Sequence, residues 1–272
     1  MKFHLKDLSL HYRVEGEGVP ILLLHGRPTD HEAMVGAFEP IFSERTGYRR
    51  IYVDLPGMGR TSGGSWLMGN DDVVDVLLQF MDSLVGERPF LIAGFSYGGY
   101  IARGILYKRM AQVAGLMLLV PAVTPGEDIQ LPEPRIFGHD TARFNQYPQP
   151  LVDRFAPLVV AHDTAVIDRL GEILGGLQRA DQVTLARIGE NYKFPFAVDD
   201  LPEPFEKPVL IFTGRHDAVI GYEEAGDLAK TYPRATYITL DRAGHAAHLE
   251  QAAVFNLLVH EWLDRVEESL RS

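Results

Sequence analysis

The 272-residue chain sets 26 Lys and Arg against 37 Asp and Glu, a formal charge of −11, and 46% of its residues are hydrophobic. That surplus of acid repels phosphate backbones and anionic membranes, so nucleic acid is not an expected partner. No apolar run approaches the roughly 18 residues of a membrane span, the start Met1-Lys2-Phe3-His4-Leu5-Lys6-Asp7 is too charged for a signal peptide, and without cysteine there are no disulfides or thiolate sites, so a cytoplasmic protein of one or two domains is expected.

Residues 3–14 alternate (Phe3, Leu5, then Leu8, Leu10, Tyr12, Val14) and stop at Gly16-Glu17-Gly18, which predicts an antiparallel hairpin. Continuous apolar runs follow at 21–24, 51–53, 90–93, 116–120 and 209–212, as strands buried on both faces require. Between them, helices are predicted over 70–85, with Val73, Val74, Leu77, Leu78, Met81 and Leu84 on one face, and over 97–110. Strand and helix alternating in this way imply a doubly wound α/β sheet. From 124 to 204 the alternation breaks: proline-rich ends bracket helical patterns at 163–178 and 181–192. The periodic Val166, Ile167, Leu170, Ile173, Leu174 and Leu177 predict that this segment packs against something and is not a flexible linker. A strand at 236–240 and a final helix marked by Val254, Leu258, Trp262 and Val266 complete the chain.

Gly94-Phe95-Ser96-Tyr97-Gly98 directly follows the apolar run 90–93. A strand entering so tight a turn strains the serine backbone and exposes its hydroxyl, while small neighbours let strand and helix approach. No lysine follows, as a phosphate loop would need. A serine hydroxyl is a weak nucleophile unless a base and an orienting acid assist it. Asp217, in Gly214-Arg215-His216-Asp217, and His245, after Ala243-Gly244, each lie just past a predicted core strand, on the sheet edge where Ser96 belongs. Ser, Asp, His is the triad order of the α/β-hydrolases.

With His25-Gly26-Arg27-Pro28, the run Asp54 to Thr61, Gly94 to Gly99, Gly214 to Asp217 and Gly244-His245 in order along it, the chain resembles the α/β-hydrolase superfamily, in its capped branch of esterases, lactonases and carbon–carbon bond hydrolases. The resemblance covers essentially the whole chain. It implies a mostly parallel eight-stranded sheet with helices on both faces, a core of residues 1–123 and 205–272, and a helical cap at 124–204. It implies Ser96 as nucleophile, His245 as general base and then acid, Asp217 as its orienting carboxylate, and the backbone N–H groups of Arg27 and Tyr97 as oxyanion hole, with no cofactor and no metal. Pro28 has no N–H to offer. The implied reaction is hydrolysis of a small ester, thioester or lactone with a largely apolar acyl group. Carbon–carbon cleavage of vinylogous diketones, perhydrolase or haloperoxidase activity, and a triad-retaining small-molecule receptor are the alternatives. The haloalkane dehalogenases and epoxide hydrolases of the superfamily carry aspartate at the nucleophile position, so serine here implies neither.

Several residues have a plainer reading beside the catalytic one. His248 competes with His245, but is expected inside the final helix. Asp217 is otherwise a solvated loop residue or the cap of a helix beginning near Tyr222. A metal site from His216, His245, His248 and Asp217 lacks the helical spacing of a zinc hydrolase. Asp54 is expected to order its own loop and His25 to orient the oxyanion loop. The aromatics Phe137, Phe144, Tyr147, Phe155, Tyr192, Phe194 and Phe196 are expected mostly to form the core of the inserted segment, a minority facing the site.

Overall fold

The computed structural model describes residues 1–124, 129–133, 135–138, 141–173 and 179–271. Its strands are β1 (Lys2–Leu5), β2 (Leu8–Glu15), β3 (Val19–Leu24), β4 (Tyr48–Val53), β5 (Phe90–Phe95), β6 (Val113–Leu119), β7 (Val209–Gly214) and β8 (Ala235–Leu240). Among the described residues they form one eight-stranded sheet in the order β1-β2-β4-β3-β5-β6-β7-β8. The β1–β2 and β2–β4 pairs are antiparallel and the others parallel. This is the α/β-hydrolase sheet that the resemblance implies.

Successive residues of β3 divide between two cores, because side chains alternate across a strand. Leu22 and Leu24 join the cluster containing Val73, Val74 and Leu77 of helix α2 (Asn70–Val85) and Ile101 and Ile105 of α3 (Tyr97–Arg109). Ile21 and Leu23 face Met34, Phe38 and Ile41 of α1 (Glu32–Phe42) and Phe255, Val259 and Trp262 of the C-terminal helix. Burial on both faces is what makes the central strands continuous apolar runs. Helix α1 goes unassigned in the sequence because Gly36 and Pro40 interrupt its pattern, although Met34, Ala37, Phe38 and Ile41 are buried at helical spacing.

The chain leaves β3 outward to β4 and returns to place β5 on β3's other side. Loops after β3 and β5 therefore diverge at a topological switch point, where open α/β sheets form their crevice.

Between β6 and β7 lie α4 (Gln149–Phe155), α5 (Thr164–Ile173) and α6 (Gln182–Glu190). Of the expected helix at 163–178, the stretch 174–178, with Leu174 and Leu177, lies outside the described residues. Asp181 precedes α6 as its cap, its carboxylate accepting from the amides of Val183 (3.0 Å) and Thr184 (3.3 Å). Both roots of this inserted segment are tied to α3. The buried Arg103 donates to the carbonyls of Ala122 (2.9 Å) and Val123 (3.0 Å) at one root and pairs with Asp199 at the other. Past β7 come α7 (Glu223–Ala229), the short α8 (Ala247–Glu250) and α9 (Ala252–Arg271). His248 thus sits in α8 and not in the final helix. Among the described residues no helix is long and apolar enough to cross a membrane.

Trp262 is fully buried under β6 and β7, and its indole N–H donates to the Pro208 carbonyl at 3.1 Å. Trp262→Ala is expected to cost about 3–5 kcal/mol, from lost burial plus the cavity left behind, read as a lower midpoint in urea denaturation.

Candidate active site

Ser96 joins β5 to α3 with φ 53° and ψ −115°, a left-handed conformation costly for a residue with a side chain. The turn closes only because its neighbours are glycines. A Cβ on Gly98 would lie 2.3 Å from the Leu24 carbonyl oxygen, and one on Gly94 would lie 2.4 Å from the carbonyl oxygen of Gly98. The Ser96 amide donates to Leu119 O at 2.9 Å, so it is engaged in holding the turn.

His245 reaches Ser96 from the loop between β8 and α8. Its Nε2 lies 3.0 Å from Ser96 Oγ and its Nδ1 lies 2.8 Å from Asp217 Oδ2. Asp217 is completely buried after β7, and its Oδ1 accepts from the amides of Val219 (2.9 Å) and Ile220 (3.1 Å). With Asp217 ionised, Nδ1 carries the proton and Nε2 is left to accept from the serine hydroxyl. Asp217 is thus neither solvated nor the cap of α7, whose first turn follows Tyr222.

The other candidates fall elsewhere. His216 Nε2 faces Asp241 Oδ1 at 3.3 Å. Asp241, which also directly follows a core strand, is a rival the sequence reading passes over; its side chain is 68% exposed. His248 bonds neither Ser96 nor Asp217. It is buried against the rings of Phe95 and Phe255, and burial, reinforced by Arg169 and His245, pushes its pKa down to about 3.

The loop after β3 lies directly against the turn: a Cβ on Gly26 would come 3.3 Å from that of Ser96. Buried His25 holds this loop. Its Nε2 accepts from the Leu55 amide (3.0 Å), so Nδ1 is the nitrogen that donates to the Gly26 carbonyl (2.8 Å), and burial lowers its pKa. Among the described residues, no hydrogen bond engages the backbone N–H of Arg27 or of Tyr97. The Arg27 guanidinium donates to Leu185 O at 3.0 Å, and the Tyr97 hydroxyl to Asn70 Oδ1 at 2.6 Å.

Asp54 accepts from the His31 amide (2.9 Å) and ring (2.7 Å), from the His11 ring (3.0 Å) and from the Arg60 amide (2.8 Å). Burial favours its protonation, but these bonds outweigh it and hold the carboxyl well below the usual range. His11, His31 and Asp54 are the trio of described residues whose donor atoms lie close enough to grip a metal ion. Each is already joined to another by a hydrogen bond, which accounts for the cluster.

Ser96 stands where two cavities meet. One, of about 200 Å³, is walled by Phe95, Leu158, Leu170, Ile173, His248 and Leu249. The other, of about 350 Å³, opens past Tyr97, Gln182, Leu185 and Tyr192. Of the seven aromatics singled out in the sequence, Tyr192 is the one lining either cavity among the described residues; the side chain of Phe155 lies outside them. Phe194 and Phe196 stack on each other, and Phe144 packs beneath α5. The inserted segment's share of the first cavity's wall is aliphatic, and its Leu170 and Ile173 are marked by periodicity only as a packing face.

A model of the alpha/beta hydrolase family matches residues 21–256. Pimeloyl-[acyl-carrier protein] methyl ester esterase of Shewanella woodyi is 23% identical over 266 residues, covering 94% of this chain and 98% of its own. The 2-hydroxy-6-oxononadienedioate/2-hydroxy-6-oxononatrienedioate hydrolase of Burkholderia vietnamiensis is 26% identical over 272 residues, covering 95% and 92%. The crystal structure of an alpha/beta superfamily hydrolase from Oenococcus oeni superposes with a TM-score of 0.80 at 27% identity, over 98% of this chain and 99% of the other.

Because the folded pKa of His248 lies below the ordinary imidazole value of 6.5, the unfolded chain takes up the proton first on acidification. Its contribution to stability is complete above that value and is lost as pH falls toward 3. Between pH 7 and 5.5, His248→Gln is expected to lose about 1 kcal/mol less stability than wild type, measured by urea denaturation at both pH values.

Proposed function

The chain belongs to the alpha/beta hydrolase family and is a hydrolase, and from that premise we propose that it cleaves a small carboxylic ester, thioester or lactone through an acyl-enzyme on Ser96. The observation that carries this reading is the His245 ring, bonded at one nitrogen to Ser96 Oγ and at the other to a buried carboxylate.

His245 Nε2 takes the hydroxyl proton as Ser96 Oγ attacks the carbonyl carbon, whose π electrons move onto its oxygen. The unengaged amides of Arg27 and Tyr97 donate to that oxyanion. Asp217 stabilises the imidazolium without taking its proton. As the tetrahedral carbon collapses, Nε2–H protonates the departing alkoxide or thiolate. Water then repeats the sequence on the acyl-enzyme, with His245 as base, and frees Ser96.

Residues 124–204 act in this reading as a cap on a core of 1–123 and 205–272. Leu158, Leu170 and Ile173, all from the inserted segment, wall the enclosed cavity. Apolar cavities of about 150 Å³ bind benzene, so roughly 200 Å³ suits a compact apolar group slightly larger than that. The second reading is carbon–carbon bond hydrolysis, favoured by relatives such as the Burkholderia enzyme.

Ser96→Ala is expected to abolish turnover of short p-nitrophenyl esters and labelling by a fluorophosphonate; wild-type rates in that variant would overturn the nucleophile. Asp217→Asn is expected to lower kcat about 10⁴-fold by reversing the histidine tautomer. Leu170→Trp is expected to shift the acyl-length optimum on an ester panel toward shorter chains. Ring-fission dienoates assayed beside the esters decide the second reading, which fails if none is cleaved.

A further inference from the structure

Glu250, at the end of α8, is left unused by this mechanism, yet three backbone amides converge on its carboxylate. Oε1 accepts from Val160 (2.5 Å) and Ala161 (2.7 Å), and Oε2 accepts from Gly244 (2.6 Å). The Glu250 amide donates to Ala246 O at 3.1 Å, and the Ala246 amide to Leu158 O at 2.9 Å. These bonds close a ring around His245: the residues before and after it are fastened to the 158–161 segment, whose Leu158 also lines the first cavity. Among the described residues Glu250 has no cationic partner, and even a half-buried carboxylate must replace the water it loses. It tolerates the position because three amides supply the hydrogen bonds that water would. A carboxylate accepts on every side, whereas a glutamine would aim N–H groups at one of these donors.

We propose that Glu250 is the positioning residue for His245: by bridging Gly244 to Val160 and Ala161, beside the bond of Ala246 to Leu158, its carboxylate holds the imidazole between Asp217 and Ser96. The proposal rests on His245 acting as the general base. It also couples the two halves of the site, because the atoms that place the base place a cavity wall.

The test compares wild type, Glu250→Gln and Glu250→Asp at a temperature where circular dichroism shows all to be folded. In Glu250→Gln, kcat on p-nitrophenyl butyrate is expected to fall about ten- to a hundredfold, the scale of an ångström-sized misplacement, with KM changed less than about threefold. The downfield proton resonance of His245 Nδ1–H, which reports the bond to Asp217, is expected to move or broaden. Glu250→Asp keeps the acceptors at shorter reach and is expected to recover part of both. A folded Glu250→Gln with wild-type kcat and an unmoved resonance overturns the proposal. If Glu250→Gln does not fold, Val160→Pro, which deletes one donor and spares the carboxylate, is read for the same two signals, and their absence overturns it equally. Should Ser96→Ala keep full turnover, the functional reading fails instead, and the resonance alone decides whether Glu250 positions His245.

Discussion

Everything at the candidate site is referred to the backbone of Ser96, held at φ 53° between a strand and a helix that nearly touch. The close approach of Gly98 to the Leu24 carbonyl oxygen brings the β3 and β5 loops together, because the helix that follows the serine starts directly over the neighbouring strand. That one contact sets the entry of α3, the seat of Gly26 beside the serine and the direction of its hydroxyl. The strain is carried by the central strands, whose burial on both faces leaves the backbone no alternative path.

Around this turn the fold assigns different electrical environments to three histidines. His25 and His248 are both buried, and burial lowers the pKa of each. His245 alone of the three bonds a carboxylate, Asp217. Imidazoles that burial keeps neutral hold a loop and line a wall without placing charge there, while the ring beside the serine is joined to a carboxylate at its other nitrogen. The same economy applies to the buried Asp54 and the half-buried Glu250, each met by donors that organise a loop.

Much of this arrangement is legible in the residue order. Continuous apolar runs announce the central parallel strands, Gly94 to Gly98 announces the turn, and polar residues just past late strands announce Asp217 and His245. Helix α1 is not legible, since Pro40 and Gly36 mask a buried face that exists only because α9 and β4 are there to receive it. Nor are the cavity walls: Leu170 and Ile173 look like any packing face until the segment folds back over Ser96. Glu250 leaves no motif, because its three partners are backbone amides 90, 89 and 6 residues upstream, and an amide has no sequence identity.

Residue order alone makes the available chemistry readable, because a serine between glycines, a late aspartate and a late histidine are local facts of composition and order. It determined the class of fold as well, since burial on both faces of a parallel sheet writes itself into the residues of each strand. Distances and enclosure come from the packed fold. They depend on groups 28 and 149 residues apart arriving within hydrogen-bond reach of one imidazole, and on which side chains the returning segment leaves facing the space beside them.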